Sequence, residues 1–233
     1  MSENIFTEDT LRARKKELEK LWEPTLRRCA ELLASCVTVR LTGSRDAGEI
    51  YDVHVMDCLW SVPLLPASGS VIDVGSGGGL PGMIWAICRP DLSVTLLDSV
   101  RKKCRATEEI ASALGLSNVA VVWGRCEEYA LSARERCDFA SARALASAGV
   151  LAEYLSPLVA VGGRLLAFKG PKGAGELKEI GDRWGTLGLS RPRVLPCGPE
   201  ERSYSFIIWD KIAPLRPAYP RRPGVALTKS WWI

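Results

Sequence analysis

The chain has 233 residues, 47% of them apolar and 25% charged, a balance that supports one sizeable core and excludes a disordered chain. No uncharged apolar run reaches the ~20 residues of a membrane helix, and the start MSENIFTEDT lacks the basic-then-apolar layout of a secretory leader, so the expected location is the cytoplasm. The net charge of +4 is too small to mark the whole surface as a polyanion binder.

In chain order, residues 7–35 read as helical, with Leu11, Leu18, Leu21 and Trp22 on one face and Pro24 as the restart into a second helix. After the turn region VTVRLTGSRD, Asp46 followed by Glu49 resembles a capping box and opens a helix to about Ser61, on which His54 and Asp57 share a face. Pro63 and Pro66 end it. From residue 70 the rhythm changes to short apolar strands at 70–74, 93–97, 119–123, 138–142 and 164–168, with later ones near 193–196 and 204–209. Helices fill the gaps at 81–88, 101–114, 147–157 and 174–187. This alternation predicts an α/β fold with a doubly wound, mostly parallel sheet. The expected organisation is a helical cap over residues 1–66, a Rossmann-like domain over 67–212 and a tail over 213–233 without regular structure.

Five of the 31 basic residues and none of the 27 acidic ones lie from Lys211 onward, which leaves the first 210 residues at −1. Such a tail is attracted to polyanions, and Tyr219, Trp231 and Trp232 could stack on bases. A tail that only packs on the domain is the other reading. The run Arg101-Lys-Lys-Cys-Arg105 puts basic residues at a helix start, where they oppose the dipole, and reads either as a phosphate contact or as a solvated face. None of the eight cysteines stands in a C-x-x-C spacing and His54 is the single histidine, so the cysteines are expected as buried thiols and no metal site is expected.

The stretch SVIDVGSGGGLPG, residues 70–82, carries the most chemistry. An apolar strand runs into Gly75, Gly77, Gly78 and Gly79, and Pro81 suits a helix start, a layout in which turn amides are expected to approach a ligand closely. A dinucleotide fingerprint would need a small residue where Leu80 stands. The pattern is instead D-x-G-x-G-x-G from Asp73 through Gly75, Gly77 and Gly79, the spacing associated with S-adenosylmethionine methyltransferases. Asp98 ends the second strand, where a carboxylate can accept from both ribose hydroxyls. Gly124-Arg125-Cys126-Glu127-Glu128 follows the third strand, where an adenine edge would be read.

The chain resembles the bacterial 16S ribosomal RNA guanine-N7 methyltransferases, also called glucose-inhibited division protein B. The matching segments are LTGSRD (41–46), His54 with Asp57, IDVGSGGGLPG (72–82), RPDLSVTLLDS (89–99), GRCEE (124–128), SARAL (141–145), GGRLLAFKGP (162–171) and AYPRRPG (218–224). The resemblance implies a class I fold, S-adenosylmethionine held against Gly75, Leu80, Cys126, Glu127 and Arg143, and methylation of one guanine N7 in the decoding-region loop of 16S rRNA. The chain departs from the family at Arg40, Val53 and Cys58, all in the cap. Two other readings are a same-fold enzyme turned to a small heterocycle or another RNA, and an RNA-binding assembly protein without turnover.

Guanine N7 carries an in-plane lone pair and no proton, so the transfer needs alignment rather than a general base. Arg143, after the fourth strand, opens onto the same mouth as Gly75 and Asp98; its guanidinium could hold the methionine carboxylate, a phosphate or guanine O6, or form a structural ion pair. Arg125, Lys169 and Arg202 are the expected phosphate contacts on the RNA side. His54 is expected beside the substrate or as a hydrogen-bond partner of Asp57, not as a base. The partner is 16S rRNA or the small subunit, and the protein is expected as a monomer.

Overall fold

The computed structural model describes residues 6–171, 173–198 and 204–233. Helix α1, Glu8–Ser35, opens on Thr7, whose hydroxyl accepts from the Thr10 amide while the Thr10 side chain reaches back to Thr7. It runs through Pro24 without restarting. The missing N–H costs about 3 kcal/mol, but the turns on both sides are held by one core containing Leu11, Leu26, Cys29, Ala30 and Leu33. Leu21, expected on the apolar face, is 70% exposed.

The next helical segment is not one regular helix. It passes from α2 (Ala47–Glu49) through a π turn (Ile50–Val55) to α3 (Met56–Leu59) and a 3₁₀ turn at Val62–Leu64. Only half of the expected capping box forms: Asp46 accepts from the Glu49 amide at 2.7 Å, but the Glu49 carboxylate takes the Ser44 hydroxyl at 2.6 Å. The π turn redirects the carbonyl of His54 towards side chains, which matters at the site below.

Strands β1 (Gly69–Val74), β2 (Leu92–Asp98), β3 (Val119–Trp123), β4 (Cys137–Arg143), β5 (Val159–Lys169), β6 (Arg193–Cys197) and β7 (Tyr204–Asp210) form a sheet in the order β3-β2-β1-β4-β5-β7-β6. The first five are parallel, and β7 enters antiparallel between β5 and β6. The chain therefore reverses direction between β1 and β4, the crevice where an open α/β sheet binds its ligands.

Both sheet faces are covered, as the near-continuous apolar strands require. On one face α1 and the 47–64 segment share a single core with α4 (Gly82–Cys88) and with Ile110 of α5 (Arg101–Ala113). Trp85 joins them, donating its ring N–H to Ser61 at 2.8 Å. On the other face α6 (Cys126–Ser132), α7 (Ala148–Leu155) and α8 (Gly173–Ile180) pack with Trp184 and Trp209.

The tail completes this second face rather than standing free. Leu215, Ala226 and Trp231 are buried in its core, and a short helix α9 (Val225–Thr228) forms. Trp231 donates to the Gly149 carbonyl at 2.8 Å, and Arg134 donates to the carbonyls of Leu215, Arg216 and Tyr219. Two of the five tail cations are spent internally: buried Lys211 pairs with Glu135 at 3.0 Å, and Arg221 pairs with buried Glu153. All eight cysteines are unpaired, and all but Cys36 are buried.

Candidate active site

The loop after β1 folds back on itself more than its glycines suggest. Gly75, Gly77 and Gly79 take φ values of +69°, +57° and +81°, a region that only glycine enters without strain. The Gly75 and Ser76 amides donate to the Leu97 carbonyl at 2.8 and 3.1 Å, and those of Gly79 and Leu80 donate to the Ser76 carbonyl. The Gly77 amide donates to Asp98 Oδ2 at 2.8 Å. Five amides expected to face a ligand are therefore consumed inside the protein, because a turn this tight places carbonyl acceptors within reach. The loop offers room beside Gly77, where a Cβ would meet only a carbonyl at 3.9 Å; at Gly75 a Cβ would come within 2.9 Å of Leu145 Cδ1, which already packs on that glycine.

Asp98 is the polar centre of the cleft. It is 8% exposed, and its second oxygen accepts from the Val100 amide at 2.8 Å. A carboxylate has about four lone-pair sites, so with two filled by backbone it still accepts two hydroxyls from a fixed position. The cleft is also lined by Gly124, Arg125 and the first turn of α6, with Leu145 and Tyr154. First-turn amides of a helix have no partner within the helix. Here they belong to Cys126 and Glu127. Both side chains are turned to structure: the Cys126 thiol, its pKa raised by burial, donates to Glu127 Oε2 at 3.2 Å, and Glu127 Oε1 accepts from the Gly224 amide at 3.1 Å.

Three of the sequence-derived cofactor residues lie behind this cleft. Gly79 faces Met83 and Thr107, and Leu80 is in the core between α1 and α4. Asp73 is fully buried and accepts from the Gly82 amide at 3.0 Å, fixing the start of α4. Burial raises its pKa to about 7, and its other oxygen has no partner.

Arg143 lines a separate cavity of about 240 Å³, together with Asp57, Trp60, Phe168, Lys169 and Tyr204. Its guanidinium is held by the cap. It donates to the His54 carbonyl and contacts the Cys58 sulfur, each at 3.3 Å, meets His54 Nδ1 at 3.2 Å and pairs with Asp57 at 3.6 Å. The His54 and Asp57 face predicted from sequence thus grips the end of β4. Lys169, expected at phosphate, is 9% exposed and tied to Glu176 at 2.7 Å and to the Ala146 carbonyl at 2.8 Å, so it is structural here. Arg125 is exposed on the cleft rim. Arg202 lies outside the described residues.

Of the departures, Cys58 touches Arg143 and its thiol is pushed up to about 12 by burial, Val53 is half-buried, and Arg40 donates to the carbonyls of Thr42 and Gly43. Sequence reasoning did not single out Leu145, Tyr154 or Leu227 as cleft residues. Leu145 follows Ala144, whose φ of +53° re-aims the chain over Gly75, and no residue pattern announces that turn.

The profile of the family described as GidB, rRNA small subunit methyltransferase G, matches residues 24–204. The chain belongs to this family. It is 41% identical over 195 residues to the ribosomal RNA small subunit methyltransferase G of Moorella thermoacetica, covering 80% of each chain. The protein of the same name from Thermobifida fusca is also 41% identical over 195 residues, covering 83% of this chain and 78% of that one. Among solved structures, a mutant of MtNAS in complex with S-adenosylmethionine matches with a TM-score of 0.54 at 15% identity, covering 88% of this chain and 78% of that chain. The antibiotic-resistance methyltransferase Kmr matches with a TM-score of 0.50 at 19% identity, covering 62% and 87%. At these identities the two structures speak to the fold alone, a mixed sheet of the class I methyltransferase type.

The cleft fits the family's cofactor, S-adenosylmethionine. Asp98 keeps two lone-pair sites at a fixed position that suit vicinal hydroxyls, the loop leaves open space beside Gly77, and the α6 amides suit the edge of a purine. Among the described residues no group of side chains could hold a metal ion.

Proposed function

We propose that the protein transfers a methyl group from S-adenosylmethionine to N7 of a guanine in the decoding-region loop of 16S rRNA. The observation that carries the reading is the family match over residues 24–204, which spans a cleft with a buried, doubly anchored Asp98 at its polar centre. When bound, the cofactor supplies a sulfonium methyl that a lone pair can take without prior loss of a proton. In this reading Asp98 orients the ribose, the backbone at Cys126 and Glu127 meets the adenine, and Gly77 gives the donor room.

The acceptor base enters the 240 Å³ cavity beside Arg143, among Trp60, Phe168 and Tyr204, which supply flat or apolar walls. N7 has to stay free for the transfer, so Arg143 donates to guanine O6 alone. Its position is set by Asp57 and His54 rather than by the base, and alignment of this kind is worth ~7 to 11 kcal/mol of barrier. Residues 67–212 supply most of the walls of both sites, and the cap over residues 1–66 adds Asp57 and Trp60 to the acceptor side. An rRNA substrate puts the protein in the cytoplasm, with 16S rRNA or the small subunit as partner, and the reading takes the protein as a monomer.

The test is incubation of the protein with labelled S-adenosylmethionine and rRNA from cells lacking the gene, followed by nucleoside digestion. Label in 7-methylguanosine from 16S rRNA is the expected result. Label in another nucleoside, or none with bound cofactor, replaces this reading with a redirected enzyme or an assembly protein.

A further inference from the structure

The cofactor cleft has a wall from an unexpected part of the chain. Leu227 of α9 lines it together with Asp98 and Ser99, although it is separated from every other wall residue by more of the chain than any of them from the next. Leu227 is 61% exposed, and a single exposed leucine needs no explanation by itself. What sets it apart is how its segment is fixed. Two buried carboxylates next to the cleft hold it: Glu127, a wall residue, accepts from the Gly224 amide at 3.1 Å, and Glu153, beside the wall residue Tyr154, accepts from Arg221 Nε at 2.7 Å. Arg221 also donates to the Lys229 carbonyl at 2.8 Å, bracketing α9 from both ends. Trp231 then locks the chain to α7 through the Gly149 carbonyl.

Buried carboxylates are costly unless paired, and here their pairing is with the segment that carries Leu227. The outer face of the same segment presents Arg222 and Lys229 to solvent, so the apolar side chain at the cleft is the one turned to the ligand side. We propose that Leu227 is a cofactor-contacting residue, packing on the nucleoside of S-adenosylmethionine, and that Glu127 and Arg221 are the positioning residues that hold it there. The proposal rests on the reading of the cleft as the cofactor's.

The experiment is calorimetric titration of the full chain with S-adenosylhomocysteine, so that no RNA is needed. Leu227→Ser is expected to weaken binding about fivefold to tenfold, in line with loss of one apolar contact, and to leave Tm unchanged. A variant with wild-type affinity overturns the proposal. Alkylation of Leu227→Cys, followed by peptide mass spectrometry, gives a second reading that does not depend on stability: the introduced thiol is protected when S-adenosylhomocysteine is present, and equal labelling with and without it counts against the contact. If the wild-type chain binds no S-adenosylhomocysteine, the reading of the cleft falls and this proposal with it. If the wild type binds and both variants behave as wild type, only the role of Leu227 falls.

Discussion

Asp73 and Ser141 sit side by side on β1 and β4 in the sheet register, both fully buried, and Asp73 Oδ1 and Ser141 Oγ each lack a partner. Burial is the main cause that lifts the Asp73 pKa from 3.8 to about 7. Between those values the folded chain binds more protons than the unfolded one, so this group's contribution to stability is full below pH 4 and is lost as pH rises through 7. Asp73→Asn keeps an acceptor for the Gly82 amide and removes the titration. The variant is expected to be more stable than wild type above pH 7, by up to about 4 kcal/mol, with the gap closing towards pH 4. Urea denaturation across that range checks it, and parallel pH profiles would refute the assignment. Asp98, unlike Asp73, has both carboxylate oxygens engaged by amides at 2.8 Å. Asp98→Ala is expected to cost roughly ten- to a hundredfold in S-adenosylhomocysteine affinity, the worth of one or two charge-assisted bonds. Unchanged calorimetric affinity would remove it from the site.

At the scale of elements, the tail is where a charge count and the packed chain differ most. Lys211 and Arg221 raise the basic count, yet each is neutralised by a buried or half-buried acid, while Trp231 and Leu215 fill the core over α7. Deleting residues after Lys211 would expose that core and leave Glu153 buried without Arg221. A loss of at least 3 kcal/mol is expected, a fall in Tm of about 10 °C. A deletion that melts like wild type while binding RNA less tightly would restore the tail as a simple polyanion arm. The strands were legible because a strand buried on both faces writes itself as an apolar run, and β1 ends at the expected Val74 with its last four residues buried. Helix α6 escaped because seven residues hold too little periodicity to show. Pro24 misled for a different reason: local propensity marks a break there, and burial of Leu11 and Leu26 in one core overrides it. At the site, Asp98 and the positive-φ glycines could be found from spacing, since each depends on local backbone. The grip of Asp57 and His54 on Arg143 crosses from the 47–64 segment to β4, and no local pattern encodes a contact made through a π turn.

For the whole molecule, the internal use of Arg143, Lys169, Lys211 and Arg221 narrows where RNA phosphates can be met. Exposed cations with no ion pair among the described residues gather at the start of α5 and the end of β3: Arg101, Lys102, Arg105 and Arg125. Trp123 stands among them, 58% exposed, with its ring N–H held by the Ser99 carbonyl at 3.0 Å and the Arg101 guanidinium 5.0 Å from its centroid. A fixed, exposed indole with exposed cations nearby suits single-stranded RNA, where aromatic faces stack bases and cations take phosphates. The two contributions separate by salt. Replacing Arg101, Lys102 and Arg105 together by Gln removes up to three phosphate contacts, and the slope of log K against log salt is expected to fall by about 2. Trp123→Ala is expected to weaken binding by about 1 to 3 kcal/mol at every salt concentration, with the slope kept. Arg101, Lys102 and Arg105 do not line the cleft, so affinity for S-adenosylhomocysteine should hold in the triple variant. Filter binding of a 16S rRNA fragment across a salt series checks both. Wild-type slopes in the triple variant would move the phosphate contacts to Arg125 on the cleft rim or to the exposed tail cations Arg216, Arg222 and Lys229.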